Sequence, residues 1–200
     1  MTDYVDGSGP VTLTDLLRLD ATALALLGHD VAMIPDSALA NPTPCEGWTV
    51  ADLLSHMNER HNAVAQTMLP PLDEVSGDPR DDFARITARW IVTIDQAGQT
   101  VNIPRRGGPQ PTEWILGVHV VDMLVHRWDL ASALQNSLSV PAGLTDAALP
   151  LARANTAPGS PLNGPDGDYR RPFAEDPANS TMDTIVALLG RNPRWSPQVH

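Results

Sequence analysis

Four stretches of the chain carry apolar residues at the spacing of an α-helix, and together they constrain the fold more than any other feature of the sequence. The predicted helices cover residues 12–27, 49–69, 79–97 and 112–134. Threonine and aspartate three residues apart begin the first two helices, a pattern typical of a capping box. Because little β-strand patterning lies between them, we predict an all-α protein built on an antiparallel four-helix bundle.

The C-terminal part of the chain is predicted to be mostly irregular, because residues 156–179 are rich in Pro, Gly, Asp and Asn. The remaining regular elements are expected to be a weak helix over residues 144–155 that Pro150 interrupts, a short strand near Tyr169, and a short last helix over residues 181–189. We therefore divide the chain into a helix bundle, residues 1–155, and a C-terminal extension packed on it, residues 156–200. Residues 103–111, rich in Gly and Pro, are expected to form a loop.

The charge balance excludes two classes of partner. Twenty-four acidic residues stand against 13 basic ones, all of them arginine, and the net charge is −11. Such a chain is repelled by phosphate backbones and anionic lipids, so we expect neither nucleic-acid nor membrane binding. No apolar run is long enough to span a bilayer, and residues 1–10 lack the basic and apolar segments of a secretory signal. With a single cysteine, Cys45, and hence no internal disulfide, we expect a cytoplasmic protein.

Two histidines and one aspartate form a candidate metal site on the predicted helices. Asp122 and His126 are four residues apart, a spacing that places both side chains on one helix face, and His56 lies on a second helix. Imidazole and carboxylate groups that project inward from two helices can form an open divalent metal site. The alternative is that they are ordinary polar residues, although burying Asp122 and His126 in an apolar stretch without a partner is costly.

Three segments of the chain resemble a known family. They are Thr43-Pro-Cys-Glu-Gly-Trp-Thr-Val-Ala-Asp-Leu-Leu-Ser-His56, Val125-His-Arg-Trp-Asp-Leu-Ala131 and Leu188-Leu-Gly-Arg-Asn-Pro193. The chain resembles the DinB-like superfamily, in particular its actinobacterial branch around mycothiol-dependent maleylpyruvate isomerase. The third segment is similar to short members of that branch that are described as metal-binding proteins of unknown function.

The resemblance implies a DinB-like four-helix bundle with a metal held by His56, Asp122 and His126. The donor chemistry makes zinc the expected metal and nickel the first alternative, and iron and manganese stay open, because imidazole–carboxylate sites accept several divalent ions. Isomerase-like members carry glutamate where this chain has Asp122, which is shorter by one methylene. His119 shares the helix face of Asp122 and His126 and is the spare candidate for the third ligand.

Neighbouring residues are given roles around this site. Asp52 is interpreted either as a carboxylate that orients His56 or as a helix-capping acid, and Asp129 either as an orienting carboxylate or as a surface acid. Arg105 and Arg106 are candidates to clamp a carboxylate of the substrate or of a thiol cofactor; a solvated loop is the alternative. Trp128 is a candidate substrate contact, or else a packing residue.

Three other residues are predicted to have no part in the chemistry. His29 and His61 are interpreted as surface histidines. Cys45 precedes the first turn of the second helix by several residues, so the helix dipole activates its thiol little, and we do not expect it to be catalytic.

The resemblance also implies a function. In the isomerase branch a metal-held thiol of mycothiol adds to an electrophilic small molecule, so we expect a mycothiol-dependent isomerase or S-transferase. A metal-dependent hydrolase with a metal-bound water, and a metal-binding protein without turnover, are the alternatives. The expected partners are a small-molecule substrate and a low-molecular-weight thiol, and the expected state is a monomer or a homodimer.

Overall fold

A computed structural model describes residues 11–72, 76–163 and 167–197 of the chain, and the described residues form six α-helices and one β-hairpin. The helices are α1 (Leu13–Ala32), α2 (Val50–Ala65), α3 (Pro79–Gln96), α4 (Thr112–Ala133), α5 (Ala142–Asn155) and α6 (Thr181–Leu188), and the strands are β1 (Thr100–Ile103) and β2 (Gly108–Pro111). Residues 1–10, which we interpret as lacking a secretory signal, lie outside the described residues. None of the described helices is both long and apolar enough to cross a bilayer.

The first helices begin where the capping pattern predicts. Thr12 and Thr49 each accept a hydrogen bond from the backbone N–H three residues later, and Asp15 and Asp52 each accept one from the N–H of the capping threonine. These reciprocal bonds satisfy donors that a helix N-terminus otherwise leaves without partners. α1 runs past its predicted end because its next turn still buries an apolar residue, Val31.

The apolar faces of α1 to α4 meet in one core. α1 packs against α3 and α4, and α2 packs against the same two helices. The largest fully buried side chains of this core include Leu24, Leu27, Leu54, Phe83, Leu116 and Leu124. Each such side chain contributes about 1.5–3 kcal/mol by leaving water. The predicted all-α class is confirmed, and it is the burial of α4 on nearly all sides that brings polar residues of this helix into the protein interior.

The expected loop over residues 103–111 is largely wrong. β1 and β2 pair antiparallel, from Thr100 opposite Pro111 to Ile103 opposite Gly108, and a 3₁₀ turn over Pro104–Arg106 joins them. Both strands of this two-stranded sheet are edge strands, so the prolines in β2 do not interrupt hydrogen bonding to a further strand. Gly107 adopts the left-handed conformation that the turn requires. The hairpin therefore holds Arg105 and Arg106 at its tip.

The C-terminal residues cover one side of the bundle. α5 continues through Pro150, and α6 packs against α5 and α4. The predicted strand near Tyr169 is reduced to a single β-bridge between Asn163 and Tyr169. Leu162 and Tyr169 are both buried against the main core. The division of the chain at residue 155 stays a prediction.

Candidate functional site

A cavity of about 590 Å³ lies between α2, α3, α4 and the tip of the hairpin. Its wall is completed by the loop over residues 44–48, by residues 167–170 of the extension, and by Gly190 and Arg191 after α6. The volume is in the range of small-molecule sites in proteins. All three predicted metal ligands line it: His56, Asp122 and His126.

α2 and α4 bring the predicted ligands to one part of the cavity wall. The rings of His56 and His126 are nearly perpendicular, with centroids 5.9 Å apart. Nε2 of His126 lies 3.6 Å from Oδ2 of Asp122, as their spacing of four residues on α4 requires. The two imidazoles and the carboxylate predicted to act together are therefore neighbours in space.

A buried carboxylate fixes the orientation of His126. Nδ1 of His126 lies 3.1 Å from Oδ2 of Asp129, whose side chain is fully buried and also accepts a hydrogen bond from Arg191. Burial opposes ionisation of Asp129, but Arg191 and His126 outweigh it and hold the pKa of this carboxyl below its ordinary value. Because an ionised Asp129 can only accept a hydrogen bond, Nδ1 of His126 is the donor, and in the neutral ring Nε2 then carries the lone pair. Asp129 is thus not a surface acid.

His56 is neutral at physiological pH. Burial, followed by the nearby His126, lowers the pKa of His56 to about 4. The indole of Trp48 packs on it, with ring centroids 4.7 Å apart. A neutral imidazole is the form that binds a metal ion, since the ligating nitrogen must be free of a proton.

The donor set fits a divalent metal ion. Two imidazoles that share a zinc ion have centroids roughly 5–6 Å apart, given the usual zinc–nitrogen length, and His56 and His126 are at such a separation. Within residues 11–72, 76–163 and 167–197, however, no three His, Cys, Asp or Glu side chains already converge closely enough to hold an ion. The ligand set therefore stays a prediction.

The spare ligand His119 is engaged elsewhere. Its Nδ1 hydrogen-bonds to the carboxylate of Asp20 on α1, and its Nε2 lies 2.8 Å from Nε2 of His61 on α2. With both ring nitrogens taken, His119 is not free to join His126 without breaking this arrangement. Asp122 is therefore the better-placed third group beside the two histidines.

The prediction that His61 is a surface histidine is wrong, because its side chain is only 1% exposed. Its surroundings are polar in the sequence, which reads Glu59-Arg-His-Asn62. The signal that was overlooked is its position on the apolar face of α2, four residues after Met57 and three before Val64, both buried. His61 also lines the cavity.

The two hairpin arginines bind a carboxylate of this chain. Arg105 and Arg106 both donate hydrogen bonds to Asp168, which lies in the extension. The guanidinium of Arg106 also lies 4.9 Å from the ring centroid of Trp114, in a cation–π contact. These bonds hold residues near 168 over the cavity. A role for the arginines toward a substrate carboxylate stays a prediction.

Three further assignments can be placed in the structure. The carboxylate of Asp52 accepts hydrogen bonds from Thr49, so Asp52 caps α2, as the alternative interpretation had it. Trp128 is buried and lies outside the set of described residues that line the cavity, whereas Trp48 and Trp90 belong to that set. Packing is therefore the role of Trp128 that its position favours.

Cys45 is held as a neutral thiol. Its Sγ lies 3.5 Å from Oδ2 of Asp129 and 3.4 Å from a guanidinium nitrogen of Arg191. Burial and the negative charge of Asp129 raise the pKa of Cys45 to about 12. A thiol that stays protonated at neutral pH is a weak nucleophile, which agrees with the expectation that Cys45 is not catalytic.

Known proteins with similar sequences point to the superfamily that the sequence motifs indicate. Residues 21–81 match the family described as the mycothiol maleylpyruvate isomerase N-terminal domain. Two uncharacterized proteins of Mycobacterium tuberculosis, from two strains, are each 28% identical to this chain over 171 residues, which is 82% of this chain and 91% of each relative.

Solved structures show the same fold. Crystal structures of the mycothiol-dependent maleylpyruvate isomerase and of one of its histidine-to-alanine mutants align with a TM-score of 0.55. Identity is 17% for the first and 16% for the second, and each alignment covers 78% of this chain and 72% of the isomerase chain. The predicted DinB-like fold and the resemblance to this superfamily are confirmed.

Proposed function

We propose that this protein is a mycothiol-dependent isomerase or S-transferase that uses a divalent metal ion held by His56, Asp122 and His126. One observation carries the proposal. His126, oriented by Asp129, turns its free Nε2 toward Asp122 and lies beside a neutral His56 in the wall of a cavity of ligand size. The match to the isomerase N-terminal domain supports mycothiol as the thiol partner.

The residues around the cavity have separate tasks in this proposal. A metal ion bound here would lower the pKa of a bound thiol, so that the thiolate is available at neutral pH. Asp129 and Arg191 keep the ring of His126 in one orientation and one tautomer. The contact of Arg105 and Arg106 with Asp168 keeps the extension over the cavity and limits access of water.

The volume of the cavity limits the size of the substrate. About 590 Å³ has room for the reacting end of a thiol and a small electrophile, but not for a macromolecule. We therefore expect a small-molecule substrate.

Mycothiol binding tests the proposal. We expect zinc-loaded wild-type protein to bind mycothiol in a calorimetric titration, and His56→Ala to bind neither zinc nor mycothiol at the same concentrations. His29→Ala is the matched control, because His29 is exposed on α1 and is not among the described residues that line the cavity. Hydrolysis of esters or amides without any thiol would contradict the proposal in favour of the hydrolase. Equal zinc content in wild type and His56→Ala would remove His56 from the site.

A further inference from the structure

The cavity follows the groove between α2 and α4, and two histidine pairs show how these helices run. His56 of α2 lies beside His126 of α4, with ring centroids 5.9 Å apart, and His61 of α2 meets His119 of α4, with their Nε2 atoms 2.8 Å apart. A later residue on α2 therefore faces an earlier one on α4, so the two helices run antiparallel. Positions after His61 on α2 and before His119 on α4 lie farther along the groove, away from the predicted metal ligands.

The cavity continues past the second pair into a section that we call the apolar end. It is lined by Val64 of α2, Ile103 of β1, and Ile115 and Val118 of α4. Val64 comes one helical turn after the second pair on α2, and Ile115 one turn before it on α4. β1 packs against both helices, and its alternation of exposed and buried residues turns Ile103 inward. Side chains from three elements therefore enclose this end of the cavity.

The apolar end offers surface to a ligand but no hydrogen bonds from its side chains. Val64 keeps 6% of its surface exposed, Ile103 5% and Ile115 7%, and Val118 is half-buried. All four side chains are hydrocarbon, and the histidines of the neighbouring pair are bonded to each other through Nε2. A polar ligand group placed here loses its water without gaining a partner from these side chains, whereas a hydrocarbon group is stabilised by leaving water.

The apolar end is within reach of a small molecule that reacts at the predicted metal site. Asp122 and Ile115 are seven residues apart on α4, which is about 10 Å at the rise of an α-helix. With carbon–carbon bonds of about 1.5 Å, an extended chain of about eight carbons covers this distance. One molecule is therefore long enough to present a reactive group beside Asp122 and a hydrocarbon group to Ile115.

We propose that the apolar end binds the hydrocarbon part of the substrate, and that the substrate is an electrophile with an uncharged alkyl chain or ring. The proposal rests on the proposed function, which supplies the electrophile and its thiol partner. Ile103, Ile115 and Val118 are then the residues that determine specificity. A substrate that carries a charge or a hydroxyl group at its far end is rejected, because that group is left without a hydrogen-bond partner.

Carbon-13 methyl NMR of the isoleucines in the zinc-loaded protein tests the apolar end, with 1-butanol, 1-hexanol and 1-octanol as probes. We expect the methyl signals of Ile103 and Ile115 to shift. Ile91, which is exposed on α3 and outside the set of described residues that line the cavity, is the internal control. Kd should fall by about three- to fourfold for each added CH₂. 1,8-Octanediol should bind about tenfold more weakly than 1-octanol, because it buries a second hydroxyl group.

A variant that fills the apolar end should shorten the chain that it accepts. We expect Val118→Phe to weaken binding of 1-octanol by about tenfold, the effect of losing contact with about two CH₂ groups, and to leave 1-butanol unchanged. Val92→Phe is the matched control, because Val92 is exposed on α3 and is not among the described residues that line the cavity. If Val118→Phe does not fold, the comparison of 1-octanol with 1,8-octanediol in wild type still decides.

The outcomes separate this proposal from the proposed function. The same Kd for all three alkanols, or unchanged binding of 1-octanol to folded Val118→Phe, would overturn the apolar end. Consumption of mycothiol with 2-butenal and 2-octenal tests the function; here the S–H group adds across the C=C bond, so the product holds all atoms of both reactants. We expect the larger kcat/KM for 2-octenal, and equal values would overturn the specificity. Chain-length-dependent alkanol binding without any thiol consumption would overturn the proposed function and leave the apolar end as a binding site.

Discussion

Two pairs of histidines line one cavity, and they are built in different ways. His56 is half-buried and His126 is buried; their rings are neighbours, and Nε2 of His126 lies 3.6 Å from the carboxylate of Asp122, which is partly exposed. His61 and His119 are buried, hydrogen-bonded to each other, and joined to the buried Asp20. We propose that the first pair offers lone pairs to a ligand, whereas the second keeps its own internal bonds and leaves one buried nitrogen, Nδ1 of His61, without a hydrogen-bond partner among the described residues.

The comparison shows how the neighbouring groups assign chemistry to the same residue type. A histidine fixed by a carboxylate on one nitrogen is an acceptor on the other, whether the acceptor meets a metal ion or another ring. Asp129 plays this part for His126, and Asp20 plays it for His119. What differs is the group that Nε2 of each histidine faces. Nε2 of His126 faces the carboxylate of Asp122, and Nε2 of His119 faces the imidazole of His61. We expect substitutions in the two pairs to have different effects.

The largest expected difference is in metal content. His126→Ala removes one of the proposed ligands. Loss of a hydrogen-bond partner behind a ligand lowers metal affinity by up to about 100-fold, and we expect loss of the ligand itself to lower zinc affinity further. His119→Ala should keep zinc, because both nitrogens of His119 are engaged with Asp20 and His61. Metal analysis after dialysis against a weak chelator measures both. Loss of zinc from His119→Ala alone would reverse the two assignments.

We expect substitutions of two aspartates, one buried and one exposed, to differ strongly in their effect on folding stability. Asp20→Ala leaves a buried His119 Nδ1 and Trp90 Nε1 without their acceptor, and we expect it to lower the free energy of unfolding by about 2–5 kcal/mol. Asp52→Ala removes only an exposed capping carboxylate, so we expect a clearly smaller loss. Urea denaturation of the metal-free proteins gives both values. Equal losses would show that the buried chain adds nothing to stability.

A smaller effect is expected from the carboxylate behind His126. Asp129→Asn keeps the shape of the side chain but not its charge, so His126 loses the partner that fixes its tautomer. We expect zinc affinity to fall by about 10–100-fold. Competition with a chromophoric chelator measures this, with Asp52→Asn as the control. An unchanged affinity would mean that Asp129 only balances the charge of Arg191.

The smallest effect is a pH dependence of the buried pair. Burial keeps His61 neutral in the folded state, whereas in the unfolded chain it takes up a proton as the pH falls below about 6.5. The unfolded state then binds more protons, so the free energy of unfolding decreases on acidification, by about 1.4 kcal/mol per pH unit for each such site. His61→Gln should show a shallower decrease between pH 6.5 and 5 in urea denaturation, and His29→Gln should match wild type.

The first pair could be predicted from the sequence and the second could not. Asp122 and His126 are related by helical spacing within one segment, and His56 lies in a motif close to its own helix start. The Asp20–His119–His61 chain joins residues from three helices, so it exists only after the bundle has packed. His61 also lies among polar residues in the sequence, and its burial depends on contact with Phe83 and Trp90 of α3.

The same distinction applies to the fold. Capping residues and apolar spacing predict α1 to α4 because both signals are local. The hairpin escaped prediction since prolines at Pro109 and Pro111 suggest a loop, and they are tolerated only because the two strands have no further neighbour in this ladder among the described residues. Likewise, Arg105 and Arg106 meet Asp168 across a sequence separation that no local pattern reveals.

X-ray absorption spectroscopy of the zinc-loaded protein tests the shared ion site most directly. With His56, Asp122 and His126 as ligands, the spectrum contains two imidazole shells and one carboxylate oxygen at about 2.0–2.2 Å, and His126→Ala loses one of the imidazoles. A spectrum that keeps both imidazoles in His126→Ala, or that shows a sulfur ligand from Cys45, would contradict this site.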